Sequence, residues 1–134
     1  MDRVEFLILR NLIHNEEYVR KVIPFIKGDY FENYNEKVVF EEIIKFVEEY
    51  NQPVTKEVLC IETEKRQDIN DSSFKEITQL IGSLEEEHTE FNWLVDTTEK
   101  WCRDRAIYLA LMESIQLADG KSDETKGRDA IPTI

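Results

Sequence analysis

The sequence predicts an all-α domain, and three observations carry that prediction. Apolar residues recur at three- and four-residue spacing through most of the chain. Nowhere does the strict alternation of a half-buried strand compete with that period. Four glycines and three prolines in 134 residues are too few for a many-turned sandwich or barrel. Hydrophobic residues at 41% and charged residues at 34% suit one closed core beneath a charge-rich surface.

The first predicted helix covers Val4 to Ile13, with Val4, Leu7, Ile8 and Leu12 on one face and Phe6, Leu9 and Ile13 widening it. His14 and Asn15 interrupt the pattern. Val19, Val22, Ile23 and Ile26 give a second helix from Glu16, which Pro24 should end near Ile23. The connector "KGDYFENYN" offers Tyr30 and Phe31 as apolar anchors. A third helix, capped by Asn35, should run to Tyr50 and bury Val39, Phe40, Ile43, Ile44 and Val47. After the loop "NQPVT", Thr55 caps a short fourth helix carrying Val58, Leu59 and Ile61. Ser73 and Glu76 form a capping box for the fifth, whose apolar face is Phe74, Ile77, Leu80, Ile81 and Leu84.

The last helix opens near Glu90 and should stop at Gly120, giving about thirty residues and a length of roughly 45 Å. That exceeds the diameter of a small domain, so the helix is expected to protrude. Leu94, Trp101, Tyr108, Met112 and Ile115 follow a four-three spacing along it, interrupted by Thr98 and Arg105. Phe91, Val95, Cys102, Ala106 and Leu109 form a second stripe. A third changes character, from Asp96, Lys100 and Arg103 to Ile107, Leu111 and Ala118. The run Ala106–Met112 is apolar throughout. One explanation is a central helix wrapped by the other five. The alternative is an arm whose distal half docks on another helix or another subunit. Trp101, Arg105, Tyr108, Leu111, Met112 and Ile115 are the residues expected at that interface, with Arg105 at its rim. The expected division is therefore a globule over 1–89, the long helix over 90–119, and a solvated linker with a last apolar stub over 120–134.

Several chemistries fail on spacing. "GKS" at Gly120–Ser122 resembles the end of a phosphate-binding loop, but Ile115 stands where that loop needs glycine, and a helix rather than a strand leads in. Glu85 and His88 have the spacing of half a di-iron site; the other histidine, His14, follows Asn11 instead of a glutamate. Cys60 and Cys102 lie on apolar stripes with no histidine nearby in sequence, so structural, reduced thiols are expected. No cofactor or metal is expected, and nothing commits the segment to catalysis. The net charge of −12, from 29 acidic and 17 basic residues, opposes direct nucleic-acid binding. The N-terminal apolar run, Phe6–Leu9, is too short for a signal segment or a membrane span.

The segment "ILRNLIHNEEYVRKVIPFIKGDYFENYNEKVVFEEIIKFVEEYNQPVT" resembles the start of hexameric replicative DNA helicases of the DnaB family. "FNWLVDTTEKWCRDRAIYLALMESIQL" is similar to the T-even-phage branch, through W-L-V-x-x-T-E-K and R-A, and so is the closing "DAIPTI". The resemblance covers nearly the whole chain. It implies an N-terminal domain in which a helical globule precedes a helical hairpin, making a collar above the ATPase ring. The long helix would be the first arm of that hairpin, 120–129 its tip, and "AIPTI" the start of the returning arm. The implied role is non-catalytic: subunit assembly through paired hairpins, and docking of primase and a helicase loader in the primosome. The parent would be an ATP-dependent 5'-3' DNA helicase in the cytoplasm of the infected bacterium. The family's motor domain has no counterpart in these residues, so the segment is either a fragment or a stand-alone relative. A second reading is a small acidic phage protein that imitates DNA or decoys a host protein. Interspersed basic residues, as in "EKWCRDR" and "ETEKRQD", weaken it.

Overall fold

The computed structural model describes residues 3–127, with side chains through residue 119. Among the described residues there are six α-helices, one 3-10 turn and no strand. They are α1 (Val4–His14), α2 (Glu16–Val22), the 3-10 turn Gly28–Tyr30, α3 (Tyr34–Tyr50), α4 (Lys56–Glu64), α5 (Asp71–Ser83) and α6 (Phe91–Gly127). The expected all-α class and long C-terminal helix are present. The stub "AIPTI" lies outside the described residues.

Helix ends follow local chemistry, and three differ from the sequence reading. Asn33, not Asn35, caps α3, its side chain accepting from the Glu36 N–H at 3.0 Å. Asn35 falls inside the first turn and donates to Glu76 at 2.9 Å. Asn70 caps α5 by accepting from the Ser73 N–H at 2.7 Å, which starts that helix before the expected capping box. Beyond Gly120, α6 continues to Gly127; one glycine costs a helix only about 1 kcal/mol, too little to stop it. Two expectations hold: Thr55 caps α4, and α2 ends at Val22, two residues before Pro24. Asn51 closes α3 in the left-handed region at φ 52°, which asparagine tolerates better than most residues.

A compact unit extends from the N-terminus through Cys102, so it includes the first turns of α6. Within it α3 is the hub, packing on α1, α4, α5 and the 3-10 turn. Ile8, Leu9 and Leu12 of α1, Tyr18 and Val22 of α2, and Val38, Val39 and Ile43 of α3 are completely buried. Leu59, Ile77, Ile81, Leu84 and Leu94 extend the same core. Ile61 departs from expectation: it is 51% exposed, while Thr63 turns inward in its place. Phe74 and Leu80 are only half-buried.

Polar contacts fix the connector that leads into α6. Buried Arg10 reaches Glu87 at 3.4 Å and Thr89 at 3.2 Å. His14 Nε2 lies 2.7 Å from the Leu84 carbonyl, which can only accept, so this nitrogen carries the proton. Glu90 then caps α6, its carboxylate accepting from the Asn92 and Trp93 N–H groups at 3.2 and 2.8 Å. An anion at a helix N-terminus is also favoured by the helix dipole.

Candidate interaction surface

The first turns of α6 are a core element. Leu94, Val95, Thr98 and Cys102 are buried, and Trp101 packs against that core. Thr98 has one hydroxyl proton, which it donates to the Leu94 carbonyl at 2.8 Å. It must therefore accept from the Tyr18 hydroxyl, 2.6 Å away. Burial pushes the Tyr18 phenol well above its usual range, so this donor stays protonated.

Among the described residues, a second unit begins at Arg103. In it Tyr108, Leu111 and Ile115 are 45%, 59% and 54% exposed, and Met112 is half-buried. The Arg105 guanidinium lies 4.9 Å from the centre of the Tyr108 ring, a cation–π contact one turn apart. At about 100° per residue, Arg105, Met112, Tyr108, Ile115, Leu111 and Ile107 fall in that order within an arc of roughly 160°. Five of the six expected interface residues thus share one face, and Ile107, 55% exposed, extends it. Such an arc is broader than the seam of a two-stranded coiled coil.

Trp101 stands apart from those five. Its ring lies 5.0 Å from Phe31 and 6.0 Å from Tyr30, edge-on to the latter. Its Nε1–H donates to Glu5 at 3.3 Å. Phe31 continues the cluster to Phe40 at 5.1 Å. The indole is thus committed to the aromatic edge of the globule.

On the globule, Arg66 gathers a cluster that spacing did not reveal. It reaches Glu42 at 2.8 Å, Glu41 at 3.1 Å and Asp68 at 2.6 Å, and Tyr34 also donates to Asp68. Hydrogen bonds from Arg66 and Tyr34 hold the Asp68 carboxyl far below the usual carboxylate range. The cluster fastens the α4–α5 loop to α3. Glu85 pairs with Lys56 at 2.8 Å, and His88 is exposed. Among the described residues, no group of three or more His, Cys, Asp or Glu side chains could hold a metal ion. Burial pushes the Cys102 thiol up to about 11, with the Glu99 charge adding to the shift. Cys60 rises too, for the same first reason, opposed by Lys56. Neither environment activates a nucleophile. No helix among the described residues is long and apolar enough to cross a membrane.

No family model and no solved structure matches the chain. Over 111 residues it is 29% identical to the DnaB-like replicative helicase of Enterobacteria phage T4. That match takes in 83% of this chain and 23% of the helicase, so the chain spans under a quarter of that relative's length. The similarity supports a relationship to a phage replicative helicase.

Proposed function

We propose that this chain is the non-catalytic N-terminal collar of a phage replicative DNA helicase, and that the distal half of α6 joins it to another copy. The observation that carries this is the arc from Arg105 to Ile115. Large apolar side chains stand more than half exposed there, in a chain related over most of its length to a replicative helicase. A self-complementary patch related by a two-fold axis is the simplest way to cover such an arc. Tyr108, Leu111, Met112 and Ile115 would supply its apolar centre and Arg105 its rim. In the parent protein, α6 would be the first arm of a helical hairpin, and the collar would receive primase and loader. Binding ATP and DNA would fall to other parts of the helicase.

The DNA-mimic reading draws on the net charge alone. Arg66, set among Glu41, Glu42 and Asp68, neutralises a position where a phosphate-like row would need to continue.

Light scattering over a dilution series tests the proposal. The expected result is a mass above that of the monomer, rising with concentration, which the double substitution Leu111→Glu and Met112→Glu returns to the monomer. Helical circular dichroism should be preserved in the variant. A wild-type chain that stays monomeric at high concentration, with the variant unchanged in mass, rules the pairing out.

A further inference from the structure

Between α3 and α4 the globule carries a cleft of about 290 Å³. Phe46 and Tyr50, one turn apart on α3, lie along one wall with ring centres 4.8 Å apart and planes tilted by 41°. Val58 and Ile61 of α4 face the same space. Tyr50 and Ile61 are 56% and 51% exposed, an unusual position for two bulky residues at the lips of a groove. The volume is at the small end of ligand clefts, and Glu42, Lys45, Glu49 and Glu62 line it together with these four bulky side chains. It suits one or two apolar side chains better than a polar metabolite.

Charge at the open end decides what should carry those side chains. The last turn of α3 holds Glu48 and Glu49 and no basic residue. Two carboxylates therefore sit at the negative end of the helix dipole, where they are unfavourable. Neither makes an ion pair among the described residues. Arg20 reaches Asn51 just beyond them, but its guanidinium is also held by Glu16. Toward Glu42 and Glu62 the carboxylates are paired, since Lys45 bridges the two while Arg66 also reaches Glu42 and Lys65 also reaches Glu62. The cleft thus joins an apolar patch to paired carboxylates at Glu42 and Glu62 and to an uncompensated one at Glu49.

The geometry points to this cleft as the docking site for a basic segment of another protein. One bulky apolar side chain seats between Tyr50 and Ile61, and Lys or Arg about a helical turn away lies against Glu49, the unpaired carboxylate among the cleft's lining residues. A cation there offsets the adverse charge at the end of α3 while its apolar neighbour covers the exposed lips. This site is separate from the arc on α6 and does not depend on how that arc is covered.

The test is an amide-shift titration of the full chain with a synthetic helical peptide carrying one leucine flanked by lysines. Shifts should concentrate in 46–50 and 58–62. Ile61→Ala should weaken binding about tenfold or more, as loss of a central anchor does. Glu49→Gln should flatten the salt dependence. Both positions are solvent-facing, so the variants should keep the wild-type spectrum, which the same experiment checks. Replacing the peptide's leucine with alanine, or its lysines with glutamates, should abolish the focused shifts. The proposal fails if the shifts spread over the acidic surface, if the alanine peptide binds equally well, or if Ile61→Ala changes nothing. It also fails if the same amides shift with protein concentration alone, since a second copy of the chain would then fill the cleft.

Discussion

Within α6, Leu94, Val95, Thr98 and Cys102 are all buried, whereas Ile107, Leu111, Ile115 and Leu117 are each more than half exposed. Residue hydropathy does not separate the two groups, because a threonine is inside and two leucines are outside. What separates them is whether partners are present. Thr98 can be buried because its single proton and one lone pair are both used, by Leu94 and Tyr18. Leu111 stays wet because nothing in its own unit covers it. Burial is thus a property of the surroundings first and of the side chain second.

The largest expected effect that tests this contrast is in the globule. Phe40 is 3% exposed at the hub helix, and Phe40→Ala should cost about 3–5 kcal/mol in chemical denaturation. A loss below about 1 kcal/mol would mean that the hub is not closed. Next comes thiol reactivity. With its thiol pushed up to about 11, Cys102 should hold about a hundredfold less thiolate than an ordinary thiol at mildly alkaline pH. Cys60 should react first with a thiol reagent in the native state, and Cys102 only slowly. Equal rates would show the proximal turns of α6 opening on that timescale.

Thr98 and Tyr18 should respond unequally, although they share one hydrogen bond. Thr98→Val leaves the buried Tyr18 hydroxyl without its acceptor and should cost about 1–3 kcal/mol. Tyr18→Phe leaves Thr98 bonded to Leu94 and should cost only about 1 kcal/mol. Reversal of that order in urea melts would reverse the assigned donor and acceptor. The smallest effect belongs to the distal half. In dilute solution Leu111→Ala should change stability by less than about 0.5 kcal/mol. A loss as large as that of Phe40→Ala would mean that Leu111 is buried within a single chain.

Helix number and helix type were legible because each apolar stripe repeats at helical spacing over at least two turns. The cap positions were less so. Asn33 and Asn35 both fit an N-cap by composition, and Asn33 prevails because its extended backbone aims the side chain back at the Glu36 N–H. Buried charge was invisible to periodicity. Glu36 and Glu42 lie inside because residues distant in sequence, Arg3 and Arg66, come to meet them. Val54 is 2% exposed although it lies in a loop, where spacing carries no information. The candidate surface was legible for the five residues that share one arc. Trp101 lies on the same line of the helix, but Tyr30 and Phe31, seventy residues earlier, claim its ring.

The bond from Tyr18 to Thr98 joins residues 80 apart, and that from Trp101 to Glu5 joins residues 96 apart. During synthesis, α1 through α5 therefore emerge from the ribosome before the piece that closes their seam. Until Thr98 and Cys102 emerge, the nascent globule presents an open apolar trough around Tyr18, the form in which a growing chain is most exposed to chaperone capture or misassociation. A pause in translation that holds Leu94 to Cys102 inside the ribosome would prolong that state, and one after they have emerged would not.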